Sequence, residues 1–109
     1  DPVDGDSVPG TMDQLLKHPR VNSEFTPSSA GSKLATEQKS DPKAIGRGDP
    51  AQDTSNFGDF KNLRIDYVLP SKGFKILDGG IFWPVPGEPG REAIEATDHR
   101  SVWLDVKKD

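Results

Sequence analysis

The chain has 109 residues, and its formal net charge is −4. This length allows one small domain, and the acidic balance argues against a broad basic surface for nucleic acid. The absence of cysteine excludes disulfides and thiolate-bound metals. No apolar run approaches the roughly 20 residues that a transmembrane helix needs.

Residues 1–21 are predicted to form a turn-rich loop and one helix. Ser7 is a suitable N-cap, and apolar residues recur at helical spacing from Val8 to Leu16. The proline after His18 disfavours helical geometry at that histidine and is expected to end the helix. His18 is interpreted as a helix-end residue without a catalytic role.

Residues 22–56 lose this periodicity and are rich in Ser, Thr, Gly, Pro, Lys and Asp. Their composition predicts a long irregular loop or a disordered segment. A loop of that length in a compact domain indicates function, a missing partner surface or disorder.

Residues 57–109 carry the strand signals. Leu63–Leu69 alternates between two faces and is predicted to form a strand. The turn at residues 71–73 would join it to a second strand, Phe74–Asp78, as a hairpin. Two glycines then allow a bend or bulge before Ile81–Trp83.

The rest of the chain is predicted to contain one more strand. Residues 84–90 are too rich in proline for regular structure, and residues 91–96 suit either one helical turn or a loop. Ser101–Val106 alternates again and forms the last predicted strand. The fold class expected from the pattern is α+β, mostly antiparallel, with an N-terminal helix and a long irregular loop.

Asp66 and the Asp98-His99 pair stand out because strands that are buried or half-buried disfavour charge. An imidazole oriented by one carboxylate, beside a second carboxylate that holds a divalent cation, makes a workable half-site for phosphate-ester hydrolysis. Neighbouring strand residues face opposite sides, so Asp98 and His99 can serve one site only if both precede the strand. Acid–histidine pairs are also common at solvated strand starts, and the residues alone leave both interpretations open.

Two motifs resemble the C-terminal signature of the endonuclease/exonuclease/phosphatase superfamily. They are Arg64-Ile65-Asp66-Tyr67-Val68-Leu69 and Thr97-Asp98-His99, where threonine stands in place of the usual serine. The resemblance implies that Asp66 braces the catalytic histidine, that Asp98 binds metal, and that His99 is the general base or phosphate contact. Residues 1–7 are similar to the segment directly after the Gly-Asp-x-Asn motif in secreted or periplasmic bacterial members, which favours an extracellular or periplasmic location.

The resemblance also implies a fold and partners. Residues 1–109 would be the C-terminal portion of a four-layer αββα sandwich, and the missing N-terminal part of the same domain would supply Gly-Asp-x-Asn, an asparagine, a glutamate and another histidine. Mg²⁺, or Mn²⁺ or Ca²⁺, is the implied cofactor. The implied substrate is a phosphate ester, whether nucleic acid, nucleotide, lipid or sugar phosphate, and we expect little turnover without that N-terminal part.

The alternative is a non-catalytic binding module that uses the long loop and the surface around Trp83-Pro84. The distance between the Asp66 carboxylate and the His99 ring discriminates between the two hypotheses. A separation within about 3.2 Å, the range of a hydrogen bond, favours the hydrolase. Specificity would then lie on the loops at residues 22–56 and 82–96.

Overall fold

Two antiparallel strands, β1 (Phe74–Ile81) and β2 (Val102–Lys108), form the single sheet. Ile81 pairs with Val102 and Phe74 with Lys108, and the register shifts between Ile76 and Asp78. Leu77 is therefore the extra residue of a β-bulge. The computed structural model describes residues 1–109 and shows a small mixed α+β domain.

The helices are short. Helix α1 spans Asp13–Leu16 and helix α2 spans Ala30–Glu37. Three 3-10 helices lie at Pro42–Ala44, Pro50–Gln52 and Arg91–Ala96. None of the helices is long and apolar enough to cross a membrane.

The helix predicted from Ser7 is wrong over most of its length. Gly10 has a φ of +85°, a left-handed conformation that an α-helix cannot contain. The chain turns there instead, with the Thr11 N–H donating to the Val8 carbonyl at 3.1 Å. Val8 is 76% exposed, so the apolar spacing does not mark a helical face before α1 begins.

The prediction of an irregular loop over residues 22–56 is wrong at α2. The Ser29 hydroxyl caps this helix by accepting from the Ser32 N–H at 3.1 Å. Gly31 lies against the Trp83 carbonyl, so closely that an added Cβ would stand 1.8 Å from the oxygen. The helix is thus fixed by a cap and a close backbone approach, features that its weakly apolar composition does not reveal.

The predicted hairpin between Leu63–Leu69 and Phe74–Asp78 does not form. Residues 64–70 belong to no helix or sheet, and side chains bond some of their N–H groups in place of a neighbouring strand. The Thr54 hydroxyl accepts from two of their N–H groups, and the Asp1 carboxylate accepts from the Arg64 N–H at 2.8 Å. The strand predicted at Phe74–Asp78 is β1, which continues through Gly79 and Gly80 and pairs with β2. Strand β2 confirms the strand predicted at Ser101–Val106, although it begins one residue later and ends two residues later.

The interior is largely polar. Apart from prolines and glycines, the buried apolar residues are Ala44, Ile81 and Trp83. The largest side chains with almost no exposure are Asn62, Thr54, Ser32 and Ser55. The hydroxyls of Ser32, Thr54 and Ser55 make side-chain hydrogen bonds, whereas the buried amide of Asn62 has no hydrogen-bond partner. Hydrogen bonds of the three hydroxyls therefore do much to organise the part of the chain that carries the site.

Candidate functional site

Ser55 joins the two segments that carry the predicted site residues. It forms antiparallel bridges to Leu63 on one side and to His99 on the other. The bridges are supported by backbone hydrogen bonds from the Ser55 N–H to the Leu63 carbonyl at 3.1 Å and from the Asn56 N–H to the Asp98 carbonyl at 2.9 Å. This three-segment ribbon brings the start of the Asp66 segment beside the acid–histidine turn.

The structure brings Asp66 and His99 into direct contact. The Nδ1 atom of His99 lies 2.9 Å from Oδ1 and 3.0 Å from Oδ2 of Asp66. An ionised carboxylate is only an acceptor, so Nδ1 carries the proton and Nε2 is left free. The two side chains are 31% exposed for Asp66 and 49% for His99, so the ring is held on one side and open to solvent on the other.

Asp98 is exposed and precedes His99 in a bend, and β2 begins three residues after the histidine. Asp98 lies in a bend and His99 in an isolated bridge to Ser55, so neither residue belongs to β2. The Thr97 hydroxyl accepts from the His99 N–H at 3.2 Å and shapes this turn.

Asp98 fits the role of one metal ligand but does not complete a metal site. No group of three or more His, Asp or Glu side chains gathers at one point. Mg²⁺ commonly takes one or two carboxylates and fills its remaining positions with water and substrate phosphate. Asp98 could provide one hard oxygen ligand of this kind, and the chain gathers no complete ligand set around it.

The Arg100 side chain stabilises the acid–histidine turn. Its Nη1 donates to the Thr97 carbonyl at 2.7 Å and to the His99 carbonyl at 3.0 Å. Its guanidinium carbon lies 4.5 Å from the centre of the Trp83 ring, a cation–π contact. Burial lowers the pKa of Arg100, the nearby Arg91 lowers it further, and Asp98 opposes both. The guanidinium thus links the acid–histidine turn to the segment that follows β1.

Sequence reasoning did not find Thr54 or Ser55, and it assigned no role to Arg100. The first two fall in the region interpreted as loop, and short hydroxyl side chains there give no periodic signal. Arg100 directly follows the Thr97-Asp98-His99 motif, but nothing in the sequence indicates that its side chain is buried. Its burial to 7% exposure depends on Trp83, a contact between residues distant in the chain.

Comparisons with protein-family models, curated proteins and solved structures find no match for this chain.

Proposed function

We propose that this chain is the C-terminal part of a metal-dependent phosphoesterase that resembles the endonuclease/exonuclease/phosphatase superfamily. The observation that carries the proposal is the 2.9 Å contact between Asp66 and His99, with the exposed Asp98 adjacent in sequence. These three residues are the ones that the two motifs single out for brace, base and metal ligand.

In this proposal His99 handles the proton. Asp66 keeps the ring in the tautomer with Nδ1 protonated and stabilises the imidazolium when Nε2 takes a proton. Nε2 is on the open side of the ring, where a water or a phosphate oxygen can approach it. His99 therefore acts as general base towards the attacking water or as a hydrogen-bond donor to phosphate.

Asp98 would hold the metal. A bound Mg²⁺ supplies charge neutralisation for the phosphate and lowers the pKa of coordinated water. The same carboxylate beside His99 raises the local negative charge and favours binding of a cation over a free anion.

Exposed apolar side chains on the sheet favour the proposal that a preceding part of the domain packs against it. Leu77, Trp103 and Val106 of the two-stranded sheet are 52%, 46% and 39% exposed. A two-stranded sheet alone is marginally stable in water, so further strands and helices of a four-layer αββα sandwich would cover these side chains.

The metal-binding part of the proposal is tested by titrating Mg²⁺ into the isotopically labelled chain. We expect chemical-shift changes centred on Asp98 and His99, and we expect the Asp98→Asn variant to lose them. Asp105→Asn, which removes an exposed carboxylate in β2, is the matched control and should retain the response. A response that survives Asp98→Asn would contradict the assignment of Asp98.

The catalytic part is tested on the domain completed by its preceding part, with bis(4-nitrophenyl) phosphate and Mg²⁺. We expect His99→Gln and Asp98→Asn each to abolish hydrolysis. His18→Gln, a substitution of the other histidine, which is exposed and follows α1, should leave it unchanged. Substantial hydrolysis by His99→Gln would remove the basis of the proposal.

The alternative binding module loses Trp83 and Pro84 from the surface first assigned to it, and it keeps the long loop at residues 22–56. Trp83 is 4% exposed and Pro84 is also buried, because both pack inside the domain. What favours a binding role now is a groove of about 400 Å³ beside the exposed Phe82 and Trp103. If a Trp103→Ala variant retains Mg²⁺-dependent hydrolysis, the groove is not needed for the phosphoesterase activity.

A further inference from the structure

Thr54 is the most extensively hydrogen-bonded side chain next to the Asp66–His99 pair. It is 1% exposed. Its Oγ1 lies 3.1 Å from the N–H nitrogen of Ile65, 3.0 Å from that of Asp66 and 2.7 Å from Oδ2 of the Asp66 carboxylate. One hydroxyl therefore contacts both the backbone and the side chain of the residue that braces His99.

The direction of each of these hydrogen bonds follows from the chemistry of a hydroxyl. Oγ1 has two lone pairs and one hydrogen. The N–H groups of Ile65 and Asp66 can only donate, so they occupy the two lone pairs. The hydrogen must then go to an acceptor, and Oδ2 of Asp66 at 2.7 Å is much closer than the Leu63 carbonyl at 3.5 Å.

This arrangement holds the carboxylate in the orientation in which it meets the histidine. Oδ2 accepts from Thr54 and, at 3.4 Å, from the Ser55 hydroxyl, and it also lies 3.0 Å from Nδ1 of His99. Oδ1 lies 2.9 Å from the same Nδ1, so the imidazole N–H faces both carboxylate oxygens. Rotation of the carboxylate about its Cβ–Cγ bond would break the Thr54 bond, so the hydroxyl locks the carboxylate plane that the imidazole meets.

The backbone of Thr54 positions the other half of the pair as well. Its N–H donates to the Leu63 carbonyl at 2.9 Å, and its carbonyl accepts from the Arg100 N–H at 2.8 Å. The same residue is thus bonded to the segment that leads to Asp66 and to the residue that follows His99.

We infer that Thr54 is a positioning residue that holds His99 in the Nδ1-protonated tautomer by clamping the Asp66 carboxylate. Its importance for catalysis rests on the proposed function, but the clamp itself does not. A buried hydroxyl that accepted from the two backbone N–H groups without bonding the carboxylate would stabilise the fold equally well. The tautomer of His99 therefore distinguishes a positioning role of Thr54 from a purely structural one.

The test compares Thr54→Val, which keeps the shape and removes the hydroxyl, with Thr54→Ser, which keeps the hydroxyl. The ring ¹⁵N chemical shifts of His99 report its tautomer at a pH where the ring is neutral. We expect the wild-type chain and Thr54→Ser to show protonated Nδ1, and Thr54→Val to shift towards protonated Nε2, the form that a free imidazole prefers. Wild-type shifts in Thr54→Val, or loss of the tautomer in Thr54→Ser, would overturn the inference.

If Thr54→Val does not fold, the hydroxyl proton of Thr54 decides the matter in the wild-type chain. A scalar coupling across the hydrogen bond from this proton to the carboxylate carbon of Asp66 would support the clamp. A hydroxyl proton that couples to the Leu63 carbonyl carbon instead, or that exchanges freely with water, would overturn it. The outcome is independent of the proposed function. Failure of the Mg²⁺ response with an intact His99 tautomer counts against the phosphoesterase alone, and the reverse result counts against the clamp alone.

Discussion

His99 Nδ1 lies 2.9 Å from Oδ1 of Asp66, although 33 positions separate the two residues in the chain. Ser55 creates this proximity by bridging to Leu63 on one side and to His99 on the other. The pair is therefore a product of tertiary structure and not of a local motif.

Asp66→Asn should remove the orienting carboxylate while keeping its size. The asparagine amide can present its NH₂ group to Nδ1, which favours the wrong tautomer of His99. In the complete phosphoesterase domain that we propose, we expect kcat for bis(4-nitrophenyl) phosphate to fall on the order of 10²- to 10⁴-fold, with a smaller change in KM. Asp13→Asn, which alters an exposed carboxylate in α1 that bonds Lys17 at 3.1 Å, should keep full activity. Equal losses in the two variants would argue against a specific role for Asp66.

The residues alone leave the pairing of Asp66 with His99 open, and the resemblance of the two motifs is what predicts it; the structure places the two side chains in contact. The last strand could be predicted because apolar residues alternate with other residues from Val102 to Val106. The strand that pairs with β1 could not be predicted, because apolar and polar residues alternate in residues 64–70 as they do in a true strand. What distinguishes them is Thr54, whose hydroxyl satisfies N–H groups that a neighbouring strand would otherwise bond.

Helix α2 could not be predicted from hydrophobic periodicity because the residues that it buries, Gly31, Ser32 and Thr36, are small or polar. Gly31 packs on the Trp83 carbonyl and leaves no apolar stripe to recognise. Its N-cap, Ser29, is one of several serines in a polar stretch, so the capping signal is ambiguous on its own. A close backbone approach of this kind becomes visible only when both segments are placed.

Gly31→Ala should destabilise the chain despite the higher helix propensity of alanine. The added methyl would overlap the Trp83 carbonyl, whose oxygen lies 1.8 Å from the Cβ position, and would push α2 away from the end of β1. We expect a loss of about 2–3 kcal/mol in the free energy of unfolding, measured by urea denaturation and accompanied by a change in tryptophan fluorescence.

The matched control in the same helix is Lys33→Ala. Lys33 is exposed and its ion pair with Glu37 is long, at 3.9 Å, so the change should stay within about 0.5 kcal/mol. A Gly31→Ala variant as stable as this control would mean that α2 does not pack closely on Trp83.

Arg100→Lys should weaken the turn that carries His99 even though the charge is kept. Lysine cannot lay a flat guanidinium on Trp83 while it bonds two carbonyl groups. We expect a loss of about 2 kcal/mol from the cation–π contact and the hydrogen bonds, together with a changed near-UV circular dichroism signal from Trp83. Arg20→Lys, at an exposed arginine, should be nearly neutral, and similar losses in both variants would contradict this role for Arg100.

Asp53 introduces a pH dependence of stability that does not involve the proposed catalytic residues. Its side chain belongs to a residue only 6% exposed. Burial raises the pKa of Asp53 from 3.8 to about 7, the charges of Asp4 and Asp49 add to the effect, and Lys39 opposes it. Between these two pH values the folded chain holds a proton that the unfolded chain has released, so the stability that this group contributes falls as the pH rises from about 4 to 7.

Asp53→Asn should remove that dependence, because an amide keeps the shape of a protonated carboxyl and carries no charge. We expect the variant to be more stable than wild type at pH 8 by on the order of 1–2 kcal/mol, once solvent screening of the charge is allowed for, and nearly equal to it at pH 4. Urea denaturation at a series of pH values measures both quantities. Glu95→Gln, at an exposed residue of the last 3-10 helix, should follow the wild-type curve. A constant difference between Asp53→Asn and wild type across this range would show that Asp53 does not titrate near neutral pH, because an effect of shape or hydrogen bonding alone does not change with proton concentration.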